Sequence, residues 1–258
     1  MTYKNKLAVL YSSCDKNEFL WDGFFLLMKK YWKSFNGDIV FNTENKHYMS
    51  NEYNFIYSNY NDGNNWSARF YKALEKVPTE YVLVILDDFY IDSYVNDKLL
   101  NECISQMDKN KKIKGFLFSQ LSNNEKKDLL CFEKVGKFKN YRINLKVGLW
   151  KKHYLMSLCR NMESPWEYEV LMSIRSFFKN GDIYSIVNSE KSNAFPTSEG
   201  YLLERGILNI DLRKKYETQY GIRFSKYEEN NIINNKQTNR LINRIKLFFK
   251  LVSNKKIC

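Results

Sequence analysis

The chain has 258 residues, of which 44% are hydrophobic and 16% aromatic, with only 10 glycines and 3 prolines. Such a composition excludes a disordered or low-complexity protein, and the length is enough for one α/β domain with a sizeable core. The formal net charge is +12, and seven basic residues with no acidic one fall in the last 23 positions, so the tail is built to seek an anionic surface.

Near the amino end, the apolar run Leu7-Ala8-Val9-Leu10-Tyr11 is too short for a signal peptide and leads into Ser12-Ser13-Cys14-Asp15 rather than a cleavage site. No stretch approaches the ~20 apolar residues that span a bilayer. The cysteines at 14, 103, 131, 159 and 258 form no CxxC pair, and the two histidines are His47 and His153. Neither a disulfide framework nor a His-built zinc site is supported, and the expectation is a cytoplasmic protein with reduced thiols.

Lys6 to Ser13 reads as a first strand, a continuous apolar run of the kind buried on both faces of a parallel sheet. Helical spacing follows from Phe19 to Trp32, then short strands at Asp38–Phe41 and Phe55–Tyr57. A turn-rich segment between Tyr60 and Asn65 opens a helix from Trp66 to Val77, which Pro78-Thr79 stops. Tyr81 to Leu86 is the most apolar strand of the chain and ends abruptly in Asp87-Asp88. Val95–Met107 predicts a helix, Ile113–Ser119 a strand, Tyr141–Leu149 another strand, and Lys151–Cys159 a helix; a further helix begins at Ser164-Pro165. The pattern weakens from about Lys191 to Asn235 and supports no assignment there. Alternating strands and helices over the first 120 residues predict a mostly parallel sheet with helices on both faces. Residues 236–258 predict a basic amphipathic helix from Thr238 to Val252. Its apolar side carries Leu241, Ile242, Ile245, Phe248, Phe249 and Val252. It could lie on an anionic inner membrane leaflet or pack on protein.

In open α/β sheets, ligands sit beyond the carboxyl ends of the strands. Asp87 and Asp88 stand there, and two adjacent carboxylates stay ionised only beside positive charge, which a divalent cation bridging a diphosphate would supply. Alternatively, Asp87 caps a turn and Asp88 is solvated. Ser12, Ser13 and Asp15, after the first strand, occupy the place where doubly wound folds hold a base or ribose. Asn65, Trp66 and Arg69 open a helix whose amino end suits phosphate; an exposed arginine is the alternative for Arg69. Ser164, Pro165 and Glu167 match a capping box, which accounts for Glu167 without any catalytic role. Glu169 is not needed for capping and is a candidate general base.

These pieces occur in a series: Trp66-Ser67-Ala68-Arg69, Ala73-Leu74, Thr79-Glu80-Tyr81-Val82-Leu83, Leu86-Asp87-Asp88-Phe89, Gly148-Leu149-Trp150-Lys151 and Ser164-Pro165-Trp166-Glu167-Tyr168-Glu169. The series resembles bacterial glycosyltransferases of the GT-A fold that build surface polysaccharides, over roughly residues 5 to 205. The resemblance implies an α/β, GT-A-like fold over residues 1–235, with a donor half to about residue 120 and an acceptor half from 121 to 235. Asp87 and Asp88 then play the part of the Asp-x-Asp motif, holding ribose and Mn2+ or Mg2+, although Phe89 stands where a third acid would be expected. Donor contacts fall to Ser12, Asp15, Asn65, Trp66 and Arg69, acceptor contacts to Trp166 and Trp150, and the base to Glu169 or Glu167. The implied reaction moves a sugar, with inversion, from a nucleotide-diphosphate donor to a glycan or lipid-linked glycan hydroxyl. A basic nucleic-acid-binding protein is the alternative, but the charge is concentrated in one tail without a nucleic-acid motif, and no nucleic acid is expected as a partner. An aspartyl phosphotransferase would need Thr or Ser soon after the acids, where the chain reads Phe89-Tyr90-Ile91.

Overall fold

The structure is a computed structural model that describes residues 3–63, 65–121, 127–187, 193–198, 200–204 and 206–224. The helix expected within 236–258 lies outside the described residues. Among the described residues, no helix is long and apolar enough to cross a membrane.

The first strand, β1 (Leu7–Ser12), is buried along its whole length. Its alternate side chains enter two cores: Leu7, Val9 and Tyr11 on one face of the sheet, Ala8 and Leu10 on the other. The strand β4 (Tyr81–Leu86) divides in the same way, with Tyr81, Leu83 and Ile85 opposite Val82 and Val84. Each large aliphatic side chain buried this way contributes about 1.5–3 kcal/mol, which is why these two runs become the centre of the sheet. Around them lie β2 (Asp38–Thr43), β3 (Asn54–Asn59), β5 (Ile113–Leu117), β6 (Phe132–Lys134), β7 (Gly148–Lys151) and β8 (Asp182–Ile186). The order is β3-β2-β1-β4-β7-β5-β8-β6. Pairing is parallel from β3 to β4 and between β5 and β8, while β7 and β6 run antiparallel to their neighbours.

A 3-10 turn (Asp15–Leu20) leads into α1 (Trp21–Tyr31), so the helix expected from Phe19 begins two residues later. With α3 (Asp97–Lys109), α1 covers one face of the sheet through Phe24, Leu27, Met28, Leu100 and Ile104. The other face is covered by α2 (Trp66–Lys76), α4 (Lys152–Leu158) and α5 (Pro165–Phe177), through Phe70, Leu74, Leu155 and Met172. A hairpin of β9 (Leu203–Glu204) and β10 (Ile207–Leu208) precedes α6 (Ile210–Tyr220), which ends on Gly221 at φ 66°, a left-handed position suited to glycine.

One strand departs from expectation. Of the stretch Tyr141–Leu149, only its end from Gly148 joins the sheet, as β7. Before it, the backbone donors are taken by side chains of α5: Ser173 Oγ accepts from Ile143 N at 3.0 Å and Glu169 Oε1 from Leu145 N at 2.7 Å. Arg142 is buried, donating to Ser176 Oγ at 2.9 Å and to the Gly181 carbonyl at 2.6 Å. With its amide groups satisfied in this way, the segment has no need of a neighbouring strand.

Candidate active site

The parallel register sets Ser12 beside Leu86, so the next residues, Ser13 and Asp87, emerge side by side at the carboxyl edge. Ser13 Oγ donates to Asp87 Oδ2 at 2.5 Å, and Asn17 Nδ2 donates to the same oxygen at 2.9 Å. Behind them, Trp21 Nε1 donates to Ser13 Oγ at 2.7 Å. Burial pushes the Asp87 carboxyl up, while these hydrogen bonds and the Arg69 charge oppose that shift.

Asp88 is held less fully, with a backbone hydrogen bond alone opposing the rise of its carboxyl. Its Oδ1 is buried without a hydrogen-bond partner. Burial first, then the charges of Asp87 and Glu169, push its carboxyl up to about 8. An orphaned hard oxygen among like charges is a donor set that suits a divalent metal of the magnesium or manganese kind. Among the described residues no group of three or more His, Cys, Asp or Glu gathers to hold a metal.

Glu169 lies near the amino end of α5, half-buried, accepting from Leu145 N at 2.7 Å. Burial raises its carboxyl, and the Leu145 amide and Lys146 pull it back. Tyr201 completes this side. Its ring lies 5.2 Å from that of Phe89, with Lys146 Nζ 5.7 Å from its centroid, and its hydroxyl is held up by burial and then by the charges of Glu169 and Asp88. The Leu202 amide donates to the Asp88 carbonyl at 3.1 Å, which fastens this loop to the acid pair. Asp87, Asp88 and Glu169 are thus brought to one edge.

The other expected donor residues sit around that edge in varied positions. Ser12 is buried, its Oγ accepting from Asn42 Nδ2 at 3.0 Å. Asp15 accepts from Asn45 N, Asn45 Nδ2 and Lys46 N, each at 3.0 Å. Partial burial pushes its carboxyl up, but the backbone amides of Lys46 and Asn45 outweigh that and hold it below the usual range. Arg69 is buried and ion-paired with Glu44 rather than exposed on the helix. Asn65 caps α2 by accepting from Ala68 N at 3.2 Å, and also accepts from Met162 N at 3.1 Å. Trp66 packs on Phe70 and Tyr168, each with ring centroids 5.0 Å apart.

On the acceptor side, Trp166 is 71% exposed on the first turn of α5. Two expectations need correction. Trp150 is only 1% exposed, and a Cβ at Gly115 would lie 2.2 Å from its ring, so its surroundings are core rather than an acceptor face. Glu167 closes the capping box: its Oε2 accepts from Ser164 N and Ser164 Oγ, each at 2.9 Å. Its carboxylate is occupied at the helix start, which leaves Glu169 as the base candidate.

The supporting residues Asn17, Trp21, Lys146 and Tyr201 carry no motif of their own. Ser13 alone had a positional signal, its place directly after β1. A second group escaped notice: the buried pair of Glu163 and Arg175, joined at 2.6 and 2.7 Å. It lies where Glu163 N meets Ser67 Oγ at 2.9 Å, so the start of α2 and the body of α5 are tied through one residue.

No protein-family model matches this sequence, and no curated protein matches it either. Among solved structures, residues 1–349 of S. aureus TarS superpose with a TM-score of 0.51 and 13% identity, over 96% of this chain and 81% of that one. Mannosyltransferase PcManGT from Pyrobaculum calidifontis, in complex with GDP-Man and Mn2+, gives a TM-score of 0.47 at 7% identity, over 73% of this chain and 56% of its own. Glucosyl-3-phosphoglycerate synthase from Mycobacterium tuberculosis, with Mn2+ and UDP-glucose, gives 0.46 at 8%, over 83% and 76%. The likeness to TarS, together with the mostly parallel eight-stranded sheet, shows a GT-A-like fold for this chain.

Proposed function

We propose that this chain is a nucleotide-sugar-dependent glycosyltransferase. The observation that carries the proposal is the buried, unpartnered oxygen of Asp88 beside Asp87, at the carboxyl end of the central strand and opposite Glu169. Ser13, Asn17 and Trp21 hold Asp87 in one orientation, leaving Asp88 to face the donor diphosphate. Asp88, with Asp87, would hold Mn2+ or Mg2+, which when bound would offset charge on the departing diphosphate. Residues after β1 and at the start of α2, Asp15 and Arg69 among them, would take the nucleoside end of the donor. Glu169, its carboxyl raised by burial, would accept the proton of an attacking hydroxyl while Leu145 N fixes its orientation. Tyr201 and Trp166 would border the incoming sugar.

Inversion, a glycan or lipid-linked glycan acceptor, a place in bacterial surface-polysaccharide synthesis and contact of 236–258 with the inner leaflet belong to the same proposal. The family resemblance and the basic tail support them. A thermal-shift series with UDP, GDP and their sugars, with and without Mn2+, tests the core of it. One nucleotide should stabilise the protein in a saturable, metal-dependent way, by about 2.7 kcal/mol at a hundredfold excess over Kd. Asp88→Ala should lose that response and all transfer. A response equal in the variant and the parent would remove Asp88 from the donor site.

A further inference from the structure

At the opposite edge of the sheet, where β4 and β5 begin and β7 ends, lies a cavity of about 670 Å³. Its lining includes four lysines, Lys114, Lys151, Lys152 and Lys179, together with His153, against the single carboxylate of Glu80. Lys152 Nζ donates to the Val77 carbonyl at 2.8 Å and Lys114 Nζ to the Lys111 carbonyl at 2.7 Å, so each ammonium is oriented by a neutral partner. Lys151 is buried, and Glu80 reaches it only at 3.5 Å from a half-exposed position. Burial, followed by the Lys151 charge, pulls the Lys114 ammonium below its usual range, as expected where positive charge is in excess. Lys114 crosses close over Gly181, where a Cβ would lie 2.5 Å from its Cγ, and the Gly181 carbonyl accepts from Arg142. Such a concave, lysine-lined site at the strand ends is complementary to a compact, multiply charged anion.

We infer that this cavity is a second ligand site, distinct from the acid-lined carboxyl edge, which binds a phosphate or diphosphate group. Lysine ammoniums act as point charges toward phosphate oxygens without demanding a planar partner. At the carboxyl edge, a phosphate would need a metal between it and the acids, whereas the lysine cavity attracts phosphate directly. Metal-free binding of phosphate therefore separates the two edges.

The test uses the full-length protein, without metal, titrated with inorganic pyrophosphate and followed by thermal shift and calorimetry. Pyrophosphate should bind saturably, and Lys114→Ala/Lys179→Ala should weaken it roughly tenfold or more, the equivalent of about one charge-assisted hydrogen bond. Asp88→Asn should leave the binding unchanged. Vesicles of phosphatidylcholine with and without phosphatidic acid distinguish the source of the phosphate. If the lysine pair also loses vesicle binding relative to the parent, the group belongs to a lipid headgroup; if it loses only free pyrophosphate, the ligand is soluble. Both outcomes support the site. Pyrophosphate binding that survives the lysine pair, or that disappears in Asp88→Asn, would overturn it. The lysine variant must melt within a few degrees of the parent; should it not, Lys152→Ala, at a half-exposed position, supplies the same comparison.

Discussion

Ser13 donates its hydroxyl hydrogen to Asp87 Oδ2, Trp21 donates to that same hydroxyl oxygen from behind, and Asn17 donates to the same carboxylate oxygen, which is thereby held still. Only a side chain that both donates and accepts can stand between an indole and a carboxylate, and serine does both. Ser13→Ala leaves the Trp21 N–H and one Asp87 lone pair unsatisfied in a buried place. Loss of about 1–3 kcal/mol is expected in urea denaturation. The Asp87 carboxyl should also rise further, weakening metal-dependent nucleotide binding, which calorimetry can follow.

Asp88 predicts a pH dependence of defined sign. Its carboxyl titrates at about 8 in the fold against about 3.9 in an unfolded chain. The metal-free fold therefore prefers the protonated acid. That stabilisation is complete below the unfolded value and is lost as pH rises through about 8. Thermal melts of metal-free protein should fall in midpoint across this range. Asp88→Asn, neutral at every pH, should flatten the slope and be more stable near pH 8 by on the order of 1–3 kcal/mol. Mn2+ needs the ionised form, so its affinity for the parent should climb with pH over the same window.

How much of this was legible in the sequence depended on whether a residue's partners lay nearby in the chain. β1 and β4 were readable because burial on both faces makes a strand apolar without interruption, and Asp87-Asp88 broke that run visibly. The capping box at Ser164 was readable because its partners are three residues apart. α6 was not, since Tyr216 is its only fully buried residue and the helix has scarcely an apolar face. Tyr141–Leu149 misled because alternating apolar residues look like a strand, while the donors of Ile143 and Leu145 are satisfied by Ser173 and Glu169 from a distant helix. Tyr201 reaches the site only because Leu202 bonds to Asp88, 114 residues earlier in the chain, and no local pattern records that. Trp150 failed for a different reason: tryptophan serves both sugar-stacking and core packing, and the space left by Gly115 decides for packing.

The Glu163–Arg175 pair predicts a large, asymmetric effect. Both side chains are buried and bonded twice. Glu163→Ala strands an arginine charge in the interior, and a loss of about 3–5 kcal/mol is expected. Replacing both, as Glu163→Leu/Arg175→Met, removes the charges together and should recover most of that loss in urea denaturation. If the double variant is as unstable as the single one, the cost lies in lost packing rather than in the unpaired charge.

Glu169 offers the sharpest separation of chemistry from fold. In Glu169→Gln the side-chain oxygen can still accept from Leu145 N, so the geometry before β7 should persist and the melting temperature should change little. What the amide cannot do is take a proton. If Glu169 is the base, kcat should fall by about 10²–10⁴ while the donor KM stays near that of the parent. Burial places the parent's titration above the ordinary glutamate range. The acidic limb of its kcat profile should accordingly lie at higher pH than a solvent-exposed glutamate would give, and should vanish in the variant. A parallel loss of donor affinity would instead place Glu169 on the donor side with Asp88, whose charge it already perturbs.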